Sequence, residues 1–172
     1  MKTQFILTIK AEDRPGLLHL ITGVIERKLV RIKSLNSAPS DIHDIILITI
    51  EVWGNESELT QLALKIENII EVFSVEVAQY EQTLCLRAAY FKLAKTFLES
   101  SKAIALSKYD AAILKFYPDA LLIAKYGTDA TILKLYNDLE GPHLLGFSQT
   151  GLISDSKLIG EDESSVINRL AA

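Results

Sequence analysis

One order of apolar patterns, strand–helix–strand–strand–helix–strand, occurs twice along this 172-residue chain, and the repeat limits the fold more than any other feature. In the first occurrence, alternating apolar and polar side chains predict a strand at 4–10. Three further strands are predicted at 31–39, 44–53 and 72–78. Apolar residues at helical spacing predict two amphipathic helices between them, one over 17–28 and one that begins at Asn55 with a capping box to Glu58.

The second occurrence has the same order with weaker boundaries. It predicts strands at 83–89, 112–117, 120–126 and 144–153. One helix is predicted around 93–98, and a second is capped by Thr128 and carries Ile132, Leu133, Tyr136 and Leu139. Because no long linker separates the two βαββαβ units, we predict an α+β fold with domains at 1–79 and 80–160 and a tail at 161–172.

Composition excludes several classes of function. The chain is 49% apolar and 23% charged with a formal charge of −4, and it has no clustered basic face. We therefore expect a soluble protein without a nucleic-acid or membrane partner. The single cysteine, Cys85, sits in an apolar run, so we predict a core residue and a reducing, cytoplasmic location. No apolar run reaches the roughly 18 residues that a membrane span needs.

No motif in this sequence is typical of a catalytic site. None of the three histidines lies at metal-ligand spacing from another histidine or from the cysteine. The sequence contains no GxSxG, no phosphate-binding GxGxxG and no HExxH motif. We therefore predict no catalytic residue, no metal site and no cofactor in this chain.

A turn within AEDRPGLLHLITGVIERK is the candidate binding site. Asp13 can cap the first helix, Pro15 is tolerated in its first turn, and Gly16 allows a ligand or a chain to approach the backbone. The free N–H groups and dipole at a helix start suit a carboxylate. In the alternative interpretation, Asp13 caps, Pro15 starts the helix, Gly16 avoids a clash, and nothing binds.

The third predicted strand is apolar on both faces. Residues 46, 48, 50 and 52 form one face, and Ile45, Leu47 and Trp53 form the other. Only one face of a βαββαβ sheet is covered by its helices. We therefore predict that the other face meets another domain or another chain.

Several stretches together resemble a known family. The strand followed by D-R-P-G-L-L within βαββαβ resembles the ACT domain, a small ferredoxin-like module that senses amino acids. The stretches I-K-S-L-N-S-A-P-S, I-T-I-E-V-W-G and F-S-Q-T-G-L-I-S are similar to the regulatory small subunit of acetohydroxyacid synthase, also called acetolactate synthase. The resemblance runs through residues 4–160 and implies two ferredoxin-like domains, the first of them an ACT domain.

The resemblance implies a non-catalytic partner in branched-chain amino acid biosynthesis. The family's large catalytic subunit carries thiamine diphosphate, Mg²⁺ and FAD, and the small subunit activates it and conveys feedback inhibition by valine or another branched-chain amino acid. The small subunits form homodimers through their ACT domains, and the effector binds between two of these domains. Carried over to this sequence, the effector-binding residues are Asp13, Arg14, Pro15, Gly16 and Leu17 of one copy and Arg31, Ile32 and Ser34 of the other.

Two positions depart from the family pattern. The family usually has Asn at the position of Asp13, and a Gly-Tyr-Asn triplet where this chain has Leu29-Val30-Arg31. The changes replace two amides by a carboxylate and a guanidinium. Arg31 either pairs with an effector carboxylate or pairs with Asp13 across the dimer and fills the pocket.

Two other functions compete with this hypothesis. A stand-alone tandem ACT-domain sensor would bind an amino acid and relay the signal to a different partner. A small enzyme on a ferredoxin-like scaffold would need catalytic groups, for which His19 and His143 are the available candidates.

Overall fold

The chain divides into two units in the computed structural model, which describes residues 3–155. One unit comprises residues 3–84 together with 151–155, and the other comprises Cys85–Thr150. The sequence predicted domains at 1–79 and 80–160, whereas packing groups residues 80–84 and 151–155 with the first unit. The predicted tail at 161–172 lies outside the described residues.

The first unit is a four-stranded antiparallel sheet with two helices. Its strands have the spatial order β2-β3-β1-β4. A 3₁₀ turn and a two-residue strand follow these elements. The elements are β1 (Thr3–Glu12), α1 (Leu17–Arg27), β2 (Arg31–Pro39), β3 (Ile45–Gly54), α2 (Glu56–Glu67), β4 (Val72–Gln79), the turn Tyr80–Gln82 and the short strand Ile153–Ser154.

Both helices pack on one face of this sheet, as their apolar stripes predict. The four β3 residues that the sequence placed together on one face are all buried in one core with α1 and α2, namely Ile46, Ile48, Ile50 and Val52. Helix α2 ends at Glu67, and Ile70, which follows it, is 94% exposed. The predicted capping box is wrong, because Asn55 makes no side-chain cap hydrogen bond.

The opposite face of β3 carries both apolar and polar side chains. Ile45 and Thr49 are buried on it, Glu51 is 0% exposed, and Trp53 is 38% exposed. A buried carboxylate therefore lies on a face that the sequence describes as apolar. That this face meets another domain or chain remains a prediction.

The second unit repeats the order of the first with a different helical layer. Its sheet has the order β6-β7-β5-β8, and α4 packs on the core. The elements are β5 (Cys85–Ala94), α3 (Ile104–Lys108), β6 (Ala112–Phe116), β7 (Ala120–Gly127), α4 (Asp129–Leu139) and β8 (Leu144–Gln149).

The predicted helix at 93–98 is wrong. Leu93 and Ala94 continue β5, in which every second residue from Cys85 to Leu93 is buried. Two 3₁₀ turns, Lys95–Glu99 and Ser101–Ala103, and the short α3 follow instead. The apolar residues at 93, 94, 97 and 98 fit helical spacing. The first two, however, are the last residues of a strand, in which apolar side chains recur at every second position.

The last helix and strand are near their predicted places. Thr128 caps α4 by accepting a hydrogen bond from the N–H of Thr131 at 3.4 Å, as predicted. Leu135 is buried in place of the predicted Leu133, which is 59% exposed. The strand predicted over 144–153 is interrupted, because β8 ends at Gln149.

Candidate functional site

The turn between β1 and α1 is a type II β-turn formed by residues 14–17. The N–H of Leu17 donates to the carbonyl of Arg14 at 3.2 Å, which closes the turn. Pro15 occupies the second position, where its fixed φ is favourable. Gly16 occupies the third with φ 88° and ψ −11°, a left-handed conformation that a residue with a Cβ adopts only with strain. The Pro-Gly pair is therefore a requirement of the turn.

Neither Asp13 nor Pro15 has the role in the helix that the sequence predicted. Gly16 is the N-cap residue of α1, no side chain caps the helix, and Pro15 precedes it. Asp13 is held instead by its backbone N–H, which donates to the carbonyl of Asp44 at 2.8 Å. The alternative interpretation, in which Asp13 caps and Pro15 starts the helix, is therefore wrong in both respects.

The start of α1 offers uncapped donors. The N–H of Leu20 donates to the carbonyl of Gly16 at 3.1 Å, whereas those of Leu18 and His19 have no hydrogen-bond acceptor within residues 3–155. Such N–H groups carry the positive end of the helix dipole and suit a carboxylate. No acidic residue occupies the first turn of α1 to compete for them.

The turn is open to solvent. Residues 13–16 are exposed, and a Cβ added at Gly16 would have nothing within 4 Å. Leu17 is 2% exposed and belongs to the core, so it ends the exposed part of the turn. A ligand or a second chain can therefore reach the backbone of the turn.

Arg14 is paired locally. Its Nε and Nη2 contact Oε1 of Glu12 at 2.9 and 2.8 Å. This hydrogen bond and the charge of Glu12 raise the pKa of Arg14. A ligand at the turn therefore meets a guanidinium that Glu12 has already partly neutralised.

The two halves of the predicted site lie at opposite ends of the same sheet. Glu12, at the end of β1, pairs with Ile45, whereas Arg31, at the start of β2, pairs with Trp53. Ile45 and Trp53 are eight residues apart on β3, which is about 26 Å at roughly 3.3 Å per residue. One chain therefore does not bring the turn and the start of β2 together.

Ser34 is held by a carboxylate that sequence reasoning missed. The register between β2 and β3 shifts between Ile32 and Ser34, a bulge that pairs Ser34 with Glu51. The hydroxyl of Ser34 donates to Oε2 of Glu51 at 2.8 Å, and Nζ of Lys33 donates to Oε1 at 2.6 Å. Glu51 thus orients both side chains, and Gln4 also donates to it.

A signal for this cluster was present in the sequence. Glu51 is the only charged residue in the nine-residue stretch IILITIEVW of β3, whose other eight residues are apolar or threonine. A carboxylate in such a strand needs partners once it is buried. The bulge that supplies Lys33 and Ser34 cannot be deduced from residue types.

Arg31 and Ile32 differ in their surroundings. Arg31 is exposed and makes no ion pair within residues 3–155. Ile32 is partly buried against the first core. Just before them, Leu29 has φ 54°, a left-handed conformation that residues with a Cβ seldom adopt.

The second unit has a buried ion pair that is structural in character. Arg87, which is 4% exposed, contacts Asp129 through Nε and, at 3.2 Å, through Nη2. Asp129 opens α4, so this pair ties the helix to β5. Cys85 is buried, as predicted. Residues 3–155 contain no group of three potential metal ligands and no helix long and apolar enough to cross a membrane.

Comparisons with known proteins agree with the geometry. Residues 3–76 match the ACT domain family model. The chain is 23% identical over 152 residues to the acetolactate synthase small subunit of Mycobacterium bovis, covering 88% of this chain and 90% of the relative. It is 26% identical over 157 residues to that of Haemophilus influenzae, covering 88% and 94%.

A solved structure shows the same fold. The acetolactate synthase small subunit of Thermotoga maritima superposes with a TM-score of 0.78 at 15% identity, covering 88% of this chain and 95% of that one. The predicted α+β fold of two ferredoxin-like domains is therefore confirmed. The predicted resemblances, to the ACT domain over residues 3–76 and to acetolactate synthase small subunits over 88% of the chain, are confirmed.

Proposed function

We propose that this chain is the regulatory small subunit of an acetolactate synthase, which binds and activates a separate catalytic subunit and does no catalysis itself. The observation that carries the proposal is similarity to small subunits through both units, together with the ACT domain of the first. Thiamine diphosphate, Mg²⁺ and FAD would then belong to the catalytic partner. Branched-chain amino acid biosynthesis would be the setting.

The effector site would form between two copies of the first unit. The turn and the start of β2 lie about 26 Å apart in one chain, so a two-fold dimer that joins them creates two equal sites. The open turn of one copy can approach Arg31 of the other without displacing a core residue.

The charges at the two ends suit a zwitterion. We assign the effector carboxylate to the uncapped N–H groups at Leu18 and His19 and to Arg31 of the other copy. The effector ammonium would face the carboxylate of Asp13. Ser34, held by Glu51, would fix the wall of the site. A branched-chain amino acid such as valine has the required charges and a small apolar side chain.

The partner role is tested by co-elution. The full chain is mixed with its cognate catalytic subunit and separated by size-exclusion chromatography, with lysozyme as an unrelated control protein. We expect a complex that elutes earlier than either component. Separate elution at micromolar concentrations of both proteins would contradict the partner role.

The two-copy site is tested by complementation. Gly16→Val and Arg31→Glu each damage both sites of a homodimer, whereas a mixed dimer contains one doubly damaged and one intact site. We expect each variant alone to lose valine binding in calorimetry and an equimolar mixture to recover about a quarter of the sites, since about half of its dimers are mixed and each mixed dimer has one intact site. Binding that does not recover would contradict an effector site shared between copies.

A further inference from the structure

Residues 151–155, termed the crossing segment, follow β8 in the chain and pass over one face of the first sheet. At the start of the segment, a Cβ added to Gly151 would lie 2.8 Å from the carbonyl oxygen of Leu35 in β2. Three residues later, the hydroxyl of Ser154 lies 3.2 Å from that of Thr8 in β1. Three residues of extended chain span about 10 Å, which is about two strand spacings. Because β3 lies between β2 and β1, the segment passes over β3.

The crossing segment lies on the face that α1 and α2 leave open. Leu7 and Ile9 of β1 pack in the core with the helices, so Thr8 between them points to the opposite face. Leu152 lies between the two contacts of the segment and is 0% exposed, although it is outside that core. Ile6, on the same face as Thr8, is also 0% exposed. The chain itself therefore covers part of a sheet face that carries no helix.

Gly151 is needed because the segment approaches β2 so closely. A Cβ 2.8 Å from a carbonyl oxygen would lie inside van der Waals contact, and the Cβ of Asn36 would be only 3.0 Å away. Leu35 pairs with Ile50 of β3, so its backbone cannot move without disturbing the sheet. A residue larger than glycine would therefore push the segment away from β2.

The contact with β2 adjoins the proposed effector site. Ser34, which precedes Leu35, is assigned to the wall of that site and donates to Oε2 of Glu51 at 2.8 Å. Strand β2 is therefore held at consecutive residues, first by Glu51 of β3 and then by Gly151 of the crossing segment. A displacement of β2 at Ser34 would change the contact at Gly151.

Both ends of the crossing segment are fixed by hydrogen bonds. Before it, the N–H of Thr150 donates to the carbonyl of Ala88 at 2.9 Å, and the N–H of Ala88 donates to Oγ1 of Thr150 at 3.1 Å. These two residues belong to the second unit, and one peptide bond joins Thr150 to Gly151. At the other end, the N–H of Asp155 donates to the carbonyl of Leu84 at 3.3 Å. The segment therefore has no slack between β2 and the second unit.

We propose that the crossing segment transmits effector binding from β2 to the second unit, with Gly151 as the positioning residue of this link. A short segment that is held at both ends transmits a displacement instead of absorbing it. The inference deepens the proposed regulatory function, on which its biological meaning rests. It assigns the residues through which an effector bound by the first unit alters the second.

Amide hydrogen exchange tests the link without an effector. In the isolated full chain, the N–H groups of Ala88 and Thr150 report local opening at the second-unit end of the link. Ser34→Ala removes the hydrogen bond that holds β2 to Glu51. We expect it to speed exchange of both N–H groups by roughly threefold or more, the effect of one lost hydrogen bond. Ser37→Ala changes an exposed serine of the same strand and is the matched control, which should leave both rates unchanged.

A double-mutant cycle tests whether Gly151 carries this effect. Gly151→Ala separates the crossing segment from β2, so in this background Ser34→Ala should no longer change the exchange of the two N–H groups. Gly146→Ala is the control background, because its Cβ would lie 3.9 Å from the Cβ of Lys92, which is an ordinary contact. In the control background the effect of Ser34→Ala should remain.

Two additions separate the link from a general loss of stability. The N–H of Tyr117 donates to the carbonyl of Ala120 at 2.7 Å within the second unit, and its exchange rate should be the same in every variant. Ser154→Ala removes the hydroxyl that contacts Thr8 and adds no atom, so it replaces Gly151→Ala if that variant does not fold. It should likewise reduce the effect measured in the cycle.

In the complex with the catalytic subunit, the link predicts a loss of response without a loss of binding. Gly151→Ala should bind valine within roughly threefold of the wild-type Kd, as calorimetry measures it. Valine at saturation should inhibit acetolactate formation at least roughly twofold less in this variant than in the wild type. Gly146→Ala should respond as the wild type does.

Three results would overturn the proposal. The first is exchange of Ala88 and Thr150 that Ser34→Ala leaves unchanged in the wild-type background. The second is a full effect of Ser34→Ala in the Gly151→Ala background, and the third is full valine inhibition of the Gly151→Ala complex. Because the exchange measurement contains neither valine nor catalytic subunit, its failure is distinguishable from a failure of the regulatory function, which co-elution reports.

Discussion

The two units share one order of strands and helices, but they cover their sheets differently. The first uses two regular helices of 11 and 12 residues. The second has one helix of 11 residues and, in place of the other, two 3₁₀ turns and a five-residue helix. The residues that match the ACT family model, 3–76, lie in the first unit. A shared topology therefore does not require a shared helical layer.

The edge strands β2 and β6 also differ between the two units. Five of the nine residues of β2 are partly buried, and Ser34 and Lys33 donate hydrogen bonds to Glu51. All five residues of β6 are exposed. The first unit thus buries more of its edge strand, where the proposed effector site lies.

The largest expected effect tests whether the two 3₁₀ turns and α3 of the second unit cover its core in place of a regular helix. Phe97 lies in the first 3₁₀ turn and is 0% exposed, so Phe97→Ala should lower the free energy of unfolding by about 3–5 kcal/mol. Leu98→Ala is the control, since Leu98 is 41% exposed and should cost under about 1 kcal/mol. Urea unfolding followed by circular dichroism measures both. Equal losses would show that the turn does not complete the core.

A slightly smaller effect tests where the first unit ends. Leu152 is 0% exposed and packs with the first unit, so Leu152→Ala should cost about 2–4 kcal/mol in unfolding followed by Trp53 emission. Its neighbour Ile153 is 57% exposed, and Ile153→Ala should cost under about 1 kcal/mol. A Trp53 transition that Leu152→Ala leaves unmoved would contradict the assignment of residues 151–155 to the first unit.

Two glycines of the first unit should respond with opposite signs. Gly16→Ala places a Cβ at φ 88° and should destabilise by about 1–2 kcal/mol. Gly23→Ala lies inside α1, where an added Cβ has nothing within 4 Å, and should stabilise by about 0.5–1 kcal/mol. Thermal unfolding measures both. Stabilisation by Gly16→Ala would contradict the type II turn.

The smallest effect concerns a surface carboxylate of the second unit. Hydrogen bonds from Lys108 and Tyr109, at 2.8 and 2.9 Å, lower the pKa of Asp138. Because the folded-state pKa is depressed, the stabilisation is present above the unfolded pKa of about 4 and is lost as the pH falls through the folded value. Lys108→Met should raise the Asp138 pKa in a carboxyl NMR titration, whereas Lys115→Met should not. An unmoved titration in Lys108→Met would contradict the assigned cause.

Sequence predicted most of the strands because alternation and turn residues are local signals. The bounds of β2 match the prediction at both ends, and Thr128 caps α4 as expected. The helix at 93–98 failed because Leu93 and Phe97 fit both a helical spacing and a strand followed by a turn. Tertiary packing, which buries Phe97, decided between them.

The candidate site was less predictable than the fold. The Pro-Gly turn predicted a backbone that can be approached at Gly16 and free N–H groups at the helix start, and both are present. The role of Asp13 as a cap was wrong because the type II turn moves the helix start to Leu17. Glu51 was missed since its partners come from a bulge in a neighbouring strand, a non-local feature that no short motif encodes.

The regulatory function is tested most directly by the rate of acetolactate formation from pyruvate. The cognate catalytic subunit, supplied with thiamine diphosphate, Mg²⁺ and FAD, is assayed at rising ratios of this chain, and the chain is also assayed alone. The account predicts no activity from the chain alone and a rate that rises several-fold before it saturates. A catalytic rate that stays unchanged at a large excess of the chain would contradict it.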